Sequence, residues 1–211
     1  MPHPPRAAEP LPPRAVKPAP PRAADPPREV QHPNPVELLG NCDGEDESLV
    51  VYELCNNGNL SEWLFGKHKF LNWIQRLEIA IDCARGLWFL HTYTEGCIVH
   101  RNIKPTNILL GTNFEAKLSD FGLSKVICMG NSYVSSEVKN LRKGGVITEF
   151  ADGKLNGEYS VESFELVFKV ALSCSGLKQH RLSMGRVVAA LEKAHRISQR
   201  VRSLDFSFQA V

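Results

Sequence analysis

The stretch His100-Arg101-Asn102-Ile103-Lys104-Pro105-Thr106-Asn107, joined eighteen residues after Asn102 by Asp120-Phe121-Gly122, decides how this chain is read. Short apolar runs flank both motifs, at Ile98-Val99 and at residues 108–110 and 116–118, and they predict β pieces separated by polar loops. The two motifs therefore fall in loops. Upstream, Asn72 precedes Trp73 and has Gln75 three positions on, the spacing of a capping box. Ile74, Leu77, Ile81, Ala84 and Trp88 follow helical spacing, which predicts a helix over about 73–91.

Further out, residues 36–39 and 49–52 are short apolar runs around the turn-rich Asp43-Gly44-Glu45-Asp46, as in a strand hairpin. Toward the C-terminus, Phe164, Val167, Phe168 and Ala171 form one amphipathic stretch. Met184, Val187, Val188, Leu191 and Ala194 form another behind a candidate cap at Ser183, so two packed helices are expected. Residues 203–211 have little periodicity and receive no element.

Residues 1–31 have a different texture. Thirteen of the fourteen prolines lie within residues 1–35, and Pro-Pro-Arg recurs at 4–6, 12–14, 20–22 and 26–28. With few apolar side chains to offset ordering entropy, this segment is expected to be disordered and rich in polyproline II. Pro10-Leu11-Pro12-Pro13-Arg14 and Pro18-Ala19-Pro20-Pro21-Arg22 each fit P-x-x-P-R, which an SH3-like aromatic groove can bind, so protein partners through this arm are one expectation.

The net charge of +2 provides no basic footprint for nucleic acid or an anionic membrane. Six cysteines, with no C-x-x-C pair, read as reduced thiols. No run of about 18 apolar residues occurs, and the N-terminus lacks the basic-then-apolar order of a leader, so neither membrane span nor signal peptide is expected and the expected location is cytoplasmic. Asn59-Leu60-Ser61 matches a glycosylation sequon, to which that location assigns no role.

Residues 100–107 resemble the protein-kinase catalytic loop, H-R-D-hydrophobic-K-x-x-N, at every defined position except the third, and Asp120-Phe121-Gly122 is similar to the D-F-G of that family in type and separation. Residues 49–53 with Asn57-Gly58-Asn59-Leu60 look like the hinge and following helix of plant receptor-like serine/threonine kinases. Ala84-Arg85-Gly86-Leu87 with Leu90-His91 is similar to the helix before their catalytic loop, and Arg181-Leu182-Ser183-Met184 to their R-P-S-M. The resemblance implies an α+β, partial protein-kinase-like fold, mainly the helical C-lobe with remnants of N-lobe strands. The chain then divides into the Pro/Arg-rich segment 1–31, an incomplete kinase-like domain over 32–198 with a break near 139–144, and a tail over 199–211.

By that resemblance, Asp120 binds magnesium bridging the phosphates of ATP, Asn107 offers its amide oxygen to a second ion, and Lys104 neutralises charge on the transferred group. The backbone of residues 53–55, Glu53 and Cys55 at its ends, meets adenine, with Tyr52 at the back of that pocket. Asn102 stands where the family has its catalytic aspartate; a carboxamide orients a hydroxyl but has no useful basicity. Arg101 is the family's partner for a phosphorylated activation loop.

Other departures follow. No glycine precedes Gly40 and no proline follows Pro105, so neither the Gly-rich loop nor the A-P-E-like motif is expected, and ATP binding is expected to be weak. Arg181 is expected to lack the family's glutamate partner. An internal deletion after residue 139 is expected to leave the remainder poorly packed, with exposed apolar surface. The leading reading is thus a kinase-like protein without efficient phosphotransfer. An active ATP-dependent serine/threonine kinase and a proline-rich adaptor stay open beside it.

Overall fold

The computed structural model describes residues 35–43, 48–94, 96–127, 147–175 and 181–209. The Pro/Arg-rich segment 1–31, most of the hairpin turn and the break near 139–144 lie outside the described residues.

Strand β1 (Leu38–Asp43) pairs antiparallel with β2 (Ser48–Tyr52), Leu38 lying opposite Tyr52. The strand begins later than the apolar run at residue 36 suggests. Val36 is buried, and its N–H donates to the Leu118 carbonyl at 2.9 Å, so it serves the core instead of the hairpin. Helix α1 (Leu60–Phe65) starts at a capping box formed by Asn59 and Glu62. Helix α2 (Trp73–His91) has the expected bounds, and Asn72 and Gln75 exchange their capping bonds at 2.9 and 3.1 Å.

After α2 come β3 (Cys97–Val99), β4 (Ile108–Leu110), β5 (Ala116–Leu118) and β6 (Lys125–Ile127). β3 pairs with β6 and β4 with β5, both antiparallel. Two loops therefore emerge side by side, one from β3 and one from β5, and these carry the catalytic-loop-like and D-F-G-like motifs. Leu71, Leu90, Ile98, Leu110, Leu118 and Phe121 belong to the apolar cluster that carries them.

Helices α3 (Val161–Ser175) and α4 (Met184–Gln209) complete an α+β fold. They correct the expectation of a poorly packed remainder. Val187, Val188 and Leu191 pack on Ile81 and Ala84 of α2, while Leu155, Phe164 and Ala194 close around Trp73 and Leu77. Fully burying each large apolar side chain contributes about 1.5–3 kcal/mol, enough for these helices to build their own core on α2. The Trp73 indole N–H reaches Ser163 and Ser198, each at 3.1 Å, so one buried donor ties three helices. α4 also runs to Gln209, beyond the residues whose sequence shows periodicity, because extending a formed helix adds one hydrogen bond per residue without a new nucleation cost.

Exposed apolar surface is present, but much of it lies on the hairpin and the segment after it, where Leu39 and Leu54 are 60% and 85% exposed. No helix among the described residues is long and apolar enough to cross a membrane.

Candidate functional site

β3 ends at Val99 and delivers His100 into the core, where its side chain is almost fully buried and its ring lies 4.8 Å from that of Phe121. The backbone N–H of Asn102 donates to His100 Nδ1 at 3.3 Å, which leaves Nε2 to carry the proton and donate to the Ser119 carbonyl at 3.0 Å. Burial lowers the imidazole pKa from its ordinary value, against the opposing effects of the Ser119 bond and the Asp120 charge. A neutral histidine thus couples the first loop to the second.

Both loops bend through the left-handed region, at Arg101 (φ 65°) and at Asp120 (φ 61°). Arg101 Nε donates to the Leu123 carbonyl at 2.7 Å, clamping the turn that follows Asp120. Three of the candidate residues meet there. Asn102 Nδ2 donates to Asp120 Oδ2 at 2.7 Å, and Asn107 Nδ2 donates to the same oxygen at 3.0 Å and to the Asn102 carbonyl at 3.0 Å. Asn107 is buried, and its backbone is fixed by Lys104 and Ser119: its N–H donates to the Lys104 carbonyl, and its own carbonyl accepts from the Ser119 N–H, both at 2.9 Å. The Lys104 side chain is exposed at the start of this turn.

The hinge-like residues sit apart from this trio. Tyr52 ends β2 and is exposed. Glu53 accepts the Glu37 N–H at 2.8 Å and receives the Lys117 ammonium at 2.6 and 2.7 Å on its two oxygens. Lys117 lies on β5, three residues ahead of Asp120, so the hinge-like segment is fastened to the strand that feeds the site. Cys55 is half-buried; burial and the Glu53 charge push its thiol pKa up, against the Lys117 charge. The Arg181 charge lies close enough to Cys174 to offset part of the burial effect on that thiol.

Lys117 and Ser119 were not singled out from sequence. The alternation of Ala116, Lys117 and Leu118 could have put Lys117 on the face opposite the core. Ser119 acts through its backbone N–H and carbonyl and through its hydroxyl, which donates to the Asn107 carbonyl at 3.1 Å, and a serine after a strand carries no motif that announces this.

Comparison with known proteins supplies the family. The family model of protein tyrosine and serine/threonine kinases matches residues 22–199. A probable receptor-like protein kinase of Arabidopsis thaliana is 40% identical over 148 residues, covering 68% of this chain and 30% of that protein. The probable LRR receptor-like serine/threonine-protein kinase MEE39 of the same plant is 43% identical over 136 residues, 64% of this chain and 15% of the relative. The leucine-rich repeat receptor protein kinase EMS1, also from Arabidopsis thaliana, is 47% identical over 113 residues, 52% of this chain and 10% of its own length. The chain spans less than a third of the length of these curated relatives. With the family match running through both loops and onto α4, this chain belongs to the protein kinase family, among the plant receptor-like kinases.

Proposed function

We propose that this chain is a degenerate protein kinase, retaining a metal- and nucleotide-facing loop pair but without efficient phosphotransfer. The observation that carries the reading is Asn102: at the position of the catalytic aspartate it presents an amide N–H₂ to Asp120 and no basic oxygen to a substrate hydroxyl. Loss of a general base costs about 10²- to 10⁴-fold.

The remaining donors fit magnesium in kind. Asp120 offers an exposed carboxylate and Asn107 a carboxamide, the hard oxygen donors such an ion takes. When bound, magnesium would neutralise and orient the phosphates of ATP, and exposed Lys104 would add a positive charge beside them. Weak ATP binding is part of the reading, since the residues ahead of Gly40 in this chain offer no glycine to wrap phosphates. The chain then acts as a binding or decoy module in the cytoplasm, where reduced thiols and ATP coexist. Retention of Lys104, Asn107 and Asp120 favours a second reading, an active serine/threonine kinase.

Magnesium-ATP-dependent phosphorylation by the purified chain, beside Asn102→Asp, separates the two. Near-background transfer by the native chain is expected, and robust transfer would overturn the proposal. Rescue by the substitution assigns the defect to Asn102, whereas silence from both assigns it to other departures in the chain.

A further inference from the structure

Helix α4 buries Val187, Val188, Leu191 and Ala194 and turns a different chemistry outward. Arg186, Lys193, Arg196 and Arg200 are all exposed. At about 100° per residue, the four fall within an arc of about 80° opposite the buried face, in a row about 21 Å long. None of these four side chains has an ion pair among the described residues. Residues 184–203 carry five Lys or Arg against one acid, Glu192, and that acid already holds Arg85 at 2.7 Å. The net charge of +2 for the whole chain hides this local excess. Lys193 with Arg196 and Arg196 with Arg200 are neighbours at i,i+3 and i,i+4, where like charges destabilise a helix. An anionic partner would relieve that repulsion.

The shape of the row decides which anion fits. With its large apolar side chains turned into the core, α4 lacks the exposed apolar face that membrane-lying helices insert. Along the seam with α2 the charges are already matched, Glu192 with Arg85 and Glu78 lying 3.3 Å from His195, so acids border the cations and oppose a broad anionic surface such as a lipid leaflet or a nucleic-acid duplex. A single extended chain is narrow enough. Its alternate residues repeat about every 6.7 Å, and flexible Lys and Arg side chains can span the difference from the rise of about 4.5–6 Å between successive cations at 193, 196 and 200. We infer that the outer face of α4 is a docking surface for an acidic, Asp/Glu-rich segment of a partner protein. The surface lies on a different element from the two loops around Asp120, and the inference holds whether or not the chain transfers phosphate.

The test is fluorescence anisotropy of the full chain with a fluorescein-labelled peptide of Glu-Ser repeats, and with Gln-Ser repeats as the neutral control, at about 50 mM salt. The native chain should bind the Glu peptide and not the Gln peptide. Arg196→Glu with Arg200→Glu should weaken binding at least about tenfold. Lys67→Glu with Lys125→Glu, two exposed cations outside α4, lowers the net charge by the same amount and should change affinity less than about twofold. Arg196→Gln with Arg200→Gln, which removes charge without adding any, should cost at least about threefold and decides the matter if the reversed pair does not fold. A loss from the Lys67 and Lys125 pair as large as that from the α4 pair overturns the inference, because net charge alone would then explain binding. So does failure of the native chain to bind the Glu peptide, or tighter binding to phosphatidylserine vesicles or to single-stranded DNA than to that peptide.

Discussion

Lys117 holds Glu53 by both carboxylate oxygens, at 2.6 and 2.7 Å, and so joins the segment after β2 to the strand that leads into Asp120. The two side chains are 17% and 23% exposed, far enough from water for the pair to be more than a screened surface contact.

Replacing Lys117 by Met should therefore destabilise the chain by about 1–3 kcal/mol, because it leaves the part-buried Glu53 carboxylate with the Glu37 N–H and without its counter-charge. Urea unfolding measures it. Adding Glu53→Gln to Lys117→Met should recover part of the loss, since the stranded charge is then gone. Equal stability of Lys117→Met and the native chain would show the pair to be solvated.

Trp73 gives a second, independent test, remote from the loops. Its indole N–H is shared by Ser163 of α3 and Ser198 of α4, both buried, and its ring packs beside Phe164 with centroids 5.5 Å apart. Trp73→Phe keeps an aromatic ring but removes the donor from two buried hydroxyls, a loss of about 1–3 kcal/mol. If α3 and α4 belong to the same cooperative unit as α2, far-UV circular dichroism and the fluorescence of the remaining tryptophans should report one transition, shifted together. Separate transitions would mean the helices dock loosely, as the sequence alone suggests.

That contrast marks what sequence could and could not reveal. Capping at Asn72 and Gln75 is local chemistry, legible from a four-residue spacing, and α2 has the expected bounds for that reason. The trio of Asn102, Asn107 and Asp120 was legible through motif resemblance, but its hydrogen-bond directions were not. They depend on which face each carboxamide turns, which the loop backbones at Arg101 and Asp120 decide. Asn59 adds a second case: Glu62 three residues later makes it the cap of α1, the helix that the resemblance places after the hinge-like segment. The docking of α3 and α4 on α2 was hidden because it joins residues about ninety and more apart, such as Trp73 with Ser163 and Ser198, and no spacing rule encodes that partnership.

His100 makes stability depend on pH in a direction its environment fixes. Burial is the largest cause of its lowered pKa, so the folded protein takes up this proton at lower pH than the unfolded chain, whose histidine titrates near about 6.5. The unfolded state then binds more protons over the window between the two values, and stability must fall as pH falls through it. The contribution is fully present above the unfolded value and is lost progressively on acidification; below the folded value both states are protonated and no further loss comes from this group. Protonation would also put a proton on Nδ1, where the Asn102 N–H now donates, so the first loop should loosen with the same titration. His100→Gln, which keeps an amide donor for Ser119 but cannot take up the proton, should melt lower than the native chain near neutral pH and lose less on acidification. Melting temperatures from about pH 7.5 to about pH 5 measure both. Parallel curves for the two proteins would mean that the acid sensitivity of this fold lies in other groups and that His100 is already solvated.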